Sequence, residues 1–391
     1  MRIGVFSDSY KPYISGVVRS IETFKEELSK MGHEMVIFAP NYPGAEPEKN
    51  VFRFPSVPTP TNNGFYLAVP FTSRLRHFLR ENKLDIVHVH SPFILGKLGT
   101  RVANELGVPL VFTYHTLYDQ YTHYVPFAQE LCRVITRKLC VDFCNRCDLV
   151  ITPTKVVGQY IKDMGVTSPV VNLPTGIRMT EFAHRDKQWL RNTYQIAPDT
   201  IILLFVGRLG KEKNIFFLLK CFQLILKRSN HPLKLVLVGE GPEAETLKRY
   251  VYDHSLDKAV TFTGKLTREN LIKAYYGSDL FVFSSVTETQ GIVIGEAKAA
   301  GLPVVAVDSF GVSDMVIHGE DGFLVPHDEQ AFVNQVLELI DQPEIRQQLG
   351  RRAIANAGDI SSQRCAAKLV TFYHQLLQSY THDKHQESVL L

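Results

Sequence analysis

Glu288-Thr-Gln-Gly-Ile-Val-Ile-Gly-Glu296 sets two carboxylates eight positions apart across a short, Gly-containing segment. An apolar, strand-like run, Leu280–Ser284, precedes it, and a helix-like run, Glu296–Ala300, follows. A strand that feeds a helix through glycine puts backbone N–H groups and both carboxylates at the mouth of a parallel sheet. Open α/β sheets bind their ligands at that edge. An ionised carboxylate is a pure acceptor for O–H donors, so the pair suits the hydroxyls of a sugar and of a ribose. Taken alone, Glu288 reads equally well as a solvated loop residue, and Glu296 as a first-turn glutamate favoured by the helix dipole.

The alternation extends in both directions. Arg2–Asp8 reads as a strand and Val17–Met31 as a helix, with Ile21, Phe24, Leu28 and Met31 at core spacing. Gly32 ends that helix, and Glu34–Pro40 is the next strand. Further units are Asp85–His90 with Ile94–Leu106, Pro109–His115 with Phe127–Cys147, and Leu149–Pro153 with Val156–Met164. Tyr42–Pro70, rich in Pro, Asn and Thr, breaks the rhythm and reads as a long surface connection. After a weaker patch, Asn172–Phe182, strands follow at Ile201–Val206, Lys234–Val238, Ala259–Thr263, Leu280–Ser284, Pro303–Val307 and Phe323–Val325. This succession implies an α/β chain of two doubly wound, Rossmann-like domains, residues 1–176 and 177–362. A last helical stretch, Gln363–Tyr380, has no strand to follow it and is expected to pack back on the first domain, before a polar, frayed tail to 391. Two such domains are expected to face each other across a cleft lined by the carboxyl ends of both sheets, with hinge closure as the natural motion.

A length of 391 residues exceeds what one core supports, and 45% apolar with 21% charged residues is the composition of an ordinary soluble protein. A net charge of +3 gives no support to bulk nucleic-acid binding, and no nucleic-acid partner is expected. Met1–Phe6 runs straight into a strand without a signal-peptide pattern. The longest apolar runs, such as Ile201–Val206, fall far short of the ~20 residues that span a bilayer. The expectation is a cytoplasmic protein, peripheral to a membrane. Cys132, Cys140, Cys144 and Cys147 share one face of a helix. Zinc ligands come from separate loops, so these cysteines read as small hydrophobes filling a buried stripe.

Gly207-Arg208-Leu-Gly-Lys-Glu-Lys213-Asn214 follows the first strand of the second domain. Arginine offers a planar fork of donors and lysine a mobile point charge, and both suit phosphate oxygens. The glycines admit close backbone approach, and Asn214 is placed to cap the next helix. The stretch reads as a diphosphate clamp, or else as a solvated basic turn. In the first domain, Ser15-Gly16-Val17 opens a helix just beyond the first strand, where a helix N-terminus meets an anion. No G-x-G-x-x-G accompanies it, so a nicotinamide dinucleotide loses its main support. His115 ends a buried strand among Tyr114, Tyr118, Asp119, Tyr121, His123 and Tyr124, a density of rings and hydroxyls that suits a carbohydrate. His88 and His90 read as structural.

Together these residues resemble the retaining glycosyltransferases of family 4, whose fold is GT-B. The resemblance covers essentially the whole chain. It rests on the Gly16 loop, His115, the Gly207-Arg208…Lys213-Asn214 clamp, the Glu288…Glu296 pair and Ala299-Ala300-Gly301-Leu302-Pro303-Val304-Val305. It implies that Arg208 and Lys213 hold the donor's diphosphate and His115 its sugar. Glu288 would bind sugar hydroxyls and Glu296 the ribose, while Gly16, Gly207 and the run Thr289, Gln290, Gly291 and Ile292 line the donor. Lys265 falls where the family's backbone meets the base. The resemblance implies no metal and no cofactor, the nucleotide sugar being a substrate, and transfer with retention, in which the leaving phosphate takes the acceptor's proton.

Thr287–Gly291, Thr113–Tyr118 and Ser9–Gly16 further resemble bacterial diacylglycerol glucosyltransferases. That implies UDP-glucose as donor, a lipid acceptor met by Tyr118, Asp119, Tyr121 and His123, and an anionic membrane surface as partner. The family often has Glu where this chain has Asp119. Phe71-Thr-Ser-Arg-Leu-Arg-His-Phe-Leu-Arg80, and Arg133, Arg137, Lys138 and Arg146, offer cations to such a surface. They also read as ordinary solvated helix faces. The same chemistry on a soluble or polyisoprenoid-linked glycan is the alternative. A nucleotide-sugar epimerase or oxidoreductase, or a non-catalytic nucleotide-sugar binder, is more distant.

Overall fold

The computed structural model describes residues 1–59, 64–70, 74–120 and 129–389, with side chains through 380. The chain divides into two compact units: Met1–Gly176 with Ser362–Leu391, and Ile177–Ser361.

The first unit opens β1 (Arg2–Phe6), α1 (Gly16–Lys30), β2 (Glu34–Pro40), β3 (Val51–Phe54), β4 (Ser56–Pro58), β5 (Tyr66–Ala68) and α2 (Arg74–Glu81). It continues β6 (Ile86–Val89), α3 (Ile94–Leu106), β7 (Leu110–Thr113), α4 (Gln129–Cys144), β8 (Leu149–Thr152), α5 (Lys155–Asp163) and β9 (Val170–Asn172). Seven strands form a parallel sheet in the order β3-β2-β1-β6-β7-β8-β9, while β4 and β5 make a separate antiparallel pair. Successive strand residues point to opposite faces. The register aligns Phe38, Phe6, Val89 and Phe112 on one face. There α2 sets Phe78 against Phe38, α3 crosses β1 and β6, and α4 sets Phe143 against Phe112. Val5, His88 and Val111 lie on the opposite face.

The Tyr42–Pro70 connection is not structureless. Val51–Phe54 pairs with β2 as an edge strand, and Phe52 packs on Phe38 and Phe78. Four residues between Asn50, at φ 64°, and Pro55 are too few for a legible period, so the Pro and Asn around them dominate the sequence signal.

The second unit runs α6 (Trp189–Tyr194), β10 (Ile201–Val206), α7 (Ile215–Arg228), β11 (Leu233–Val238), α8 (Ala244–Asp253), β12 (Val260–Gly264), α9 (Arg268–Tyr276), β13 (Leu280–Phe283), α10 (Ile292–Ala299), β14 (Val304–Val307), β15 (Gly322–Val325), α11 (Glu329–Asp341) and α12 (Pro343–Asp359). Its six strands are all parallel, in the order β12-β11-β10-β13-β14-β15. Apart from the half-buried edge strand β12, they are near-continuous apolar runs, as strands covered on both faces must be, with Leu204, Phe205, Val236, Leu237, Phe281 and Val305 fully buried. The closing helix, α13 (Ser362–Val389), belongs to the first unit. Ser362 donates to Glu27 of α1 at 2.8 Å, and Tyr373 reaches His88 on the α1 side of the sheet. The helix continues past Tyr380 instead of fraying there.

Candidate active site

Parallel pairing brings every strand of the second unit to the same edge with its carboxyl end. The basic turn lies there, directly after β10. Leu209 N–H donates to Glu240 O at 2.9 Å, and Glu243 N–H donates to Leu209 O at 2.9 Å, so the loop after β11 clasps the loop after β10. Gly239 makes that clasp possible: its φ is +136°, and a Cβ there would lie 1.9 Å from Gly207 O. From the next strand, Ser284 Oγ donates to Lys213 O at 2.8 Å and Ser285 Oγ to Glu212 O at 3.0 Å. The turn that carries the cations is therefore fixed on two sides.

Lys213 Nζ ion-pairs with the Glu288 carboxylate, both side chains being about one-sixth exposed. Arg208 stays half exposed, 3.9 Å from the buried Glu212 carboxylate. The Glu288 loop is held from β14: Gly311 N–H donates to Glu288 O at 2.9 Å and Ser309 Oγ to Ser285 O at 3.0 Å. Only glycine fits at 311, because a Cβ would meet Thr289 O at 2.0 Å. Thr289 and the buried Gln290 lead to Gly291, at φ +75°, and Ile292 begins α10. The first-turn N–H groups of such a helix have no intrahelical acceptor and carry its positive end. Glu288 thus stands beside a lysine and three residues before Gly291, the N-cap of α10.

Glu296 is buried on α10. One carboxylate oxygen lies 2.7 Å from an Arg268 guanidinium nitrogen, and the other accepts from Tyr275 Oη at 3.1 Å. Arg268 also donates to one oxygen of Glu181, at 2.8 and 2.5 Å. It therefore bridges two carboxylates, in the forked geometry that suits arginine. Each carboxylate oxygen has two lone pairs, so Glu296 keeps acceptor capacity beyond Arg268 and Tyr275. Lys265 is exposed at the same edge, one residue beyond β12. Asn214 occupies the N-cap of α7 without capping it: at φ 52° its side chain turns to His327, 2.8 Å away.

In the first unit, Ser15 caps α1 by accepting from Val18 N–H, and Gly16 is exposed in the first turn. His115 heads a stack of three histidines. Its ring lies 5.0 Å from His90, whose ring lies 4.4 Å from His88. His90 Nδ1 and His115 Nε2 are 2.8 Å apart. His88 bonds Tyr373 Oη and Thr113 Oγ1, each at 2.6 Å. Burial holds all three neutral: His88 is pushed down to about 3, His115 to about 4, and His90 well below its ordinary 6.5. His88 and His90 are core side chains.

Tyr118 is half-buried, its ring 5.0 Å from Phe93. Asp119 is turned inward, 2% exposed, and holds α4: Arg137 Nε donates to it at 3.0 Å and Tyr160 Oη at 2.5 Å. Arg133 also faces it, at 4.0 Å. Arg133 and Arg137 are thus ion-paired within the unit, and Lys138 and Arg146 remain as the outward cations of this segment. Tyr121 and His123 lie outside the described residues, as do Phe71–Ser73. Cys140, Cys144 and Cys147 are free and buried, and burial pushes the Cys140 and Cys144 thiols up to about 12. Among the described residues no three His, Cys, Asp or Glu side chains group as metal ligands.

Arg268 and Gly311 escape a reading of the sequence. The glycine pair in Val238-Gly-Glu-Gly-Pro242 after a strand was the available signal for the clasp on Gly207. Arg268 gives none, since Glu181 lies 87 residues before it and Glu296 lies on another helix.

Comparison with known proteins matches two family models to the two halves of the chain. "Glycosyltransferase Family 4" covers residues 14–181 and "Glycosyl transferases group 1" covers residues 186–356. An alpha-monoglucosyldiacylglycerol synthase of Acholeplasma laidlawii is 30% identical over 391 residues, 96% of this chain and 98% of that one. One of Streptococcus pneumoniae is 32% identical over 355 residues, 89% of this chain and 80% of that one. Among solved structures, a sucrose-phosphate synthase of Thermosynechococcus elongatus superposes with a TM-score of 0.80 at 21% identity, covering 97% of this chain and 99% of that one.

Proposed function

The chain belongs to the family 4 glycosyltransferases, nucleotide-sugar-dependent hexosyltransferases of GT-B fold, and from that premise we propose that it moves glucose from UDP-glucose to diacylglycerol or a glycosylated diacylglycerol with retention of configuration. The observation that carries the reading is the Lys213–Glu288 pair, fixed between the basic turn and the N-terminus of α10. Arg208 and Lys213 neutralise the diphosphate as it leaves, in the manner of any preorganised charge aimed at developing anion. Glu288 accepts from sugar hydroxyls and Glu296 from the ribose. Gly207, Lys265 and the segment Thr289–Ile292 complete the donor contacts. In the first unit, Gly16 and His115 serve the transferred sugar, and Tyr118 the acceptor. The leaving phosphate takes the acceptor's proton, so no side chain is assigned as a base and no cofactor is invoked.

The acceptor class follows the relatives, whose names specify a glucosyl diacylglycerol product. Support from this chain comes from α4. Leu131, Val134, Ile135 and Leu139 are 49–61% exposed and, at helical spacing, share one face with Lys138. An exposed apolar stripe with cations beside it suits the headgroup boundary of an anionic bilayer. On α2, Arg74, Arg76 and Arg80 are exposed while Leu75 and Leu79 are buried. We read the protein as peripheral to the inner face of the cell membrane. Among the described residues no helix is long and apolar enough to cross a membrane.

The test is a matrix of UDP- and GDP-hexoses against diacylglycerol in anionic vesicles, and against water-soluble and polyprenyl-linked glycans. Glycolipid from UDP-glucose and vesicles alone supports the reading. Transfer only to the soluble or polyprenyl acceptors would replace the acceptor class.

A further inference from the structure

Arg268 opens α9 directly after Thr267, whose Oγ1 caps the helix by accepting from Asn270 N–H at 3.3 Å. Tyr275 follows two helical turns later and so lies on the same face of α9. Both side chains meet the Glu296 carboxylate on α10, one at each oxygen: Arg268 Nη1 at 2.7 Å and Tyr275 Oη at 3.1 Å. One face of α9 thus grips both oxygens of a single buried carboxylate.

Arg268 divides its donors unequally. Nε and Nη2, the forked edge of the guanidinium, both go to one oxygen of Glu181, at 2.8 and 2.5 Å. Arg178 lies 3.4 Å from the other oxygen of Glu181. Nη1 is left to face Glu296. A pair built for cohesion alone would set fork against fork, since the two-point contact is the stronger one. Burying an ion pair is also a poor route to stability, because the desolvation cost offsets the attraction. This arrangement aims instead. Glu181 fixes the plane of the guanidinium, and Nη1 then points in one direction, onto a carboxylate whose own stem is flexible. Each Glu296 oxygen receives one side-chain donor and keeps acceptor capacity. Arg178, Glu181, Arg268 and Glu296 also balance in charge, so a neutral hydroxyl joins the carboxylate without leaving a charge uncompensated.

We propose that Arg268 is a positioning residue: with Tyr275 it holds the Glu296 carboxylate in the orientation that accepts from the donor's ribose, while Glu181 holds Arg268. The proposal deepens the reading of Glu296 as the ribose contact and rests on it. Arg268 itself touches no part of the nucleotide in this assignment. Preference for a ribonucleotide over its deoxy counterpart is then set from a neighbouring helix, through an ion pair.

Calorimetry on the full chain compares the binding of UDP with that of its 2′-deoxy and 3′-deoxy forms. The wild type is expected to bind UDP on the order of tenfold more tightly than at least one of the two, the worth of one hydrogen bond to a charged group. In Arg268→Met that ratio should fall close to one, because UDP loses affinity while the deoxy nucleotide binds as before. A merely structural pair would weaken all three nucleotides alike, and a ratio unchanged in Arg268→Met overturns the proposal. Tyr275→Phe removes a single hydroxyl and keeps the test open should Arg268→Met fail to fold. Its ratio is expected to narrow severalfold, and an unchanged one counts against the proposal in the same way. Glu296→Gln is the reference: a wild type that binds all three nucleotides equally, or a Glu296→Gln protein that keeps the full ratio, removes the ribose contact itself and the proposal with it. A ratio lost in Glu296→Gln but kept in Arg268→Met and Tyr275→Phe strikes out the positioning role alone.

Discussion

Lys213 and Glu288, 75 residues apart in the chain, form an ion pair at the carboxyl edge of the second sheet, each only about one-sixth exposed. The cation assigned to the diphosphate and the carboxylate assigned to the sugar therefore hold each other in place before a donor arrives. Catalytic groups that need no reorganisation are the most effective.

Replacement of Glu288 by Ala or Gln is predicted to lower kcat by roughly 10²–10³, the usual loss for one preorganised polar contact. The melting midpoint should change little, because Glu288 lies on a loop anchored through its backbone by Gly311. Steady-state turnover together with calorimetry decides it, and near-normal turnover would remove Glu288 from the donor site.

The double change Arg208→Ala with Lys213→Ala should cost about 3 kcal/mol or more of transition-state stabilisation. Nucleotide binding and kcat/KM are the quantities to measure. An unchanged rate would mean that the diphosphate sits elsewhere.

Lys298 of α10 is ion-paired with the fully buried Asp321 at 2.6 Å and donates to Met315 O at 2.9 Å. Lys298→Met leaves that buried carboxylate without its cation, so unfolding free energy should fall by about 3–5 kcal/mol. The midpoint of urea unfolding reads this directly, and a stable Lys298→Met protein would contradict the pairing.

Stability should also fall with acid. Each histidine of the stack takes its proton near 6.5 when unfolded, but in the fold His88 does so only near 3 and His115 near 4. The unfolded chain thus binds more protons between about pH 4 and 6.5, and stability drops as pH falls through that window and is level above it. One such histidine contributes a slope of up to about 1.4 kcal/mol per pH unit. His88→Gln should flatten the urea midpoint between pH 4.5 and 6.5 relative to the wild type. An equal slope in both would show that the His88 environment does not exclude the proton.

Aspartate at both Val134 and Ile135 is predicted to abolish co-sedimentation with anionic vesicles while turnover on detergent-dispersed diacylglycerol persists. Undiminished sedimentation would place the membrane face elsewhere.

The sequence carries what is periodic or local. The strands of the second sheet are mostly apolar runs of four to six residues, so they and the loops after them were readable, as was the Glu288…Glu296 spacing. β3 was not, because four residues flanked by Asn and Pro hold no period. Asp119 shows the limit for side chains: a carboxylate among tyrosines looks like a sugar ligand, and only the fold reveals that Arg137 and Tyr160 occupy it. Arg268 and the His88–His90–His115 stack depend on contacts between distant segments, which no local pattern encodes.

The anomeric configuration of the glycolipid formed from UDP-glucose and diacylglycerol vesicles, read by proton NMR, tests the central claim most directly. The account predicts an α-glucosyl diacylglycerol, the configuration of the donor, formed by the wild type and lost in Glu288→Ala. A β-glucoside, or donor turnover that places no sugar on lipid, would contradict it.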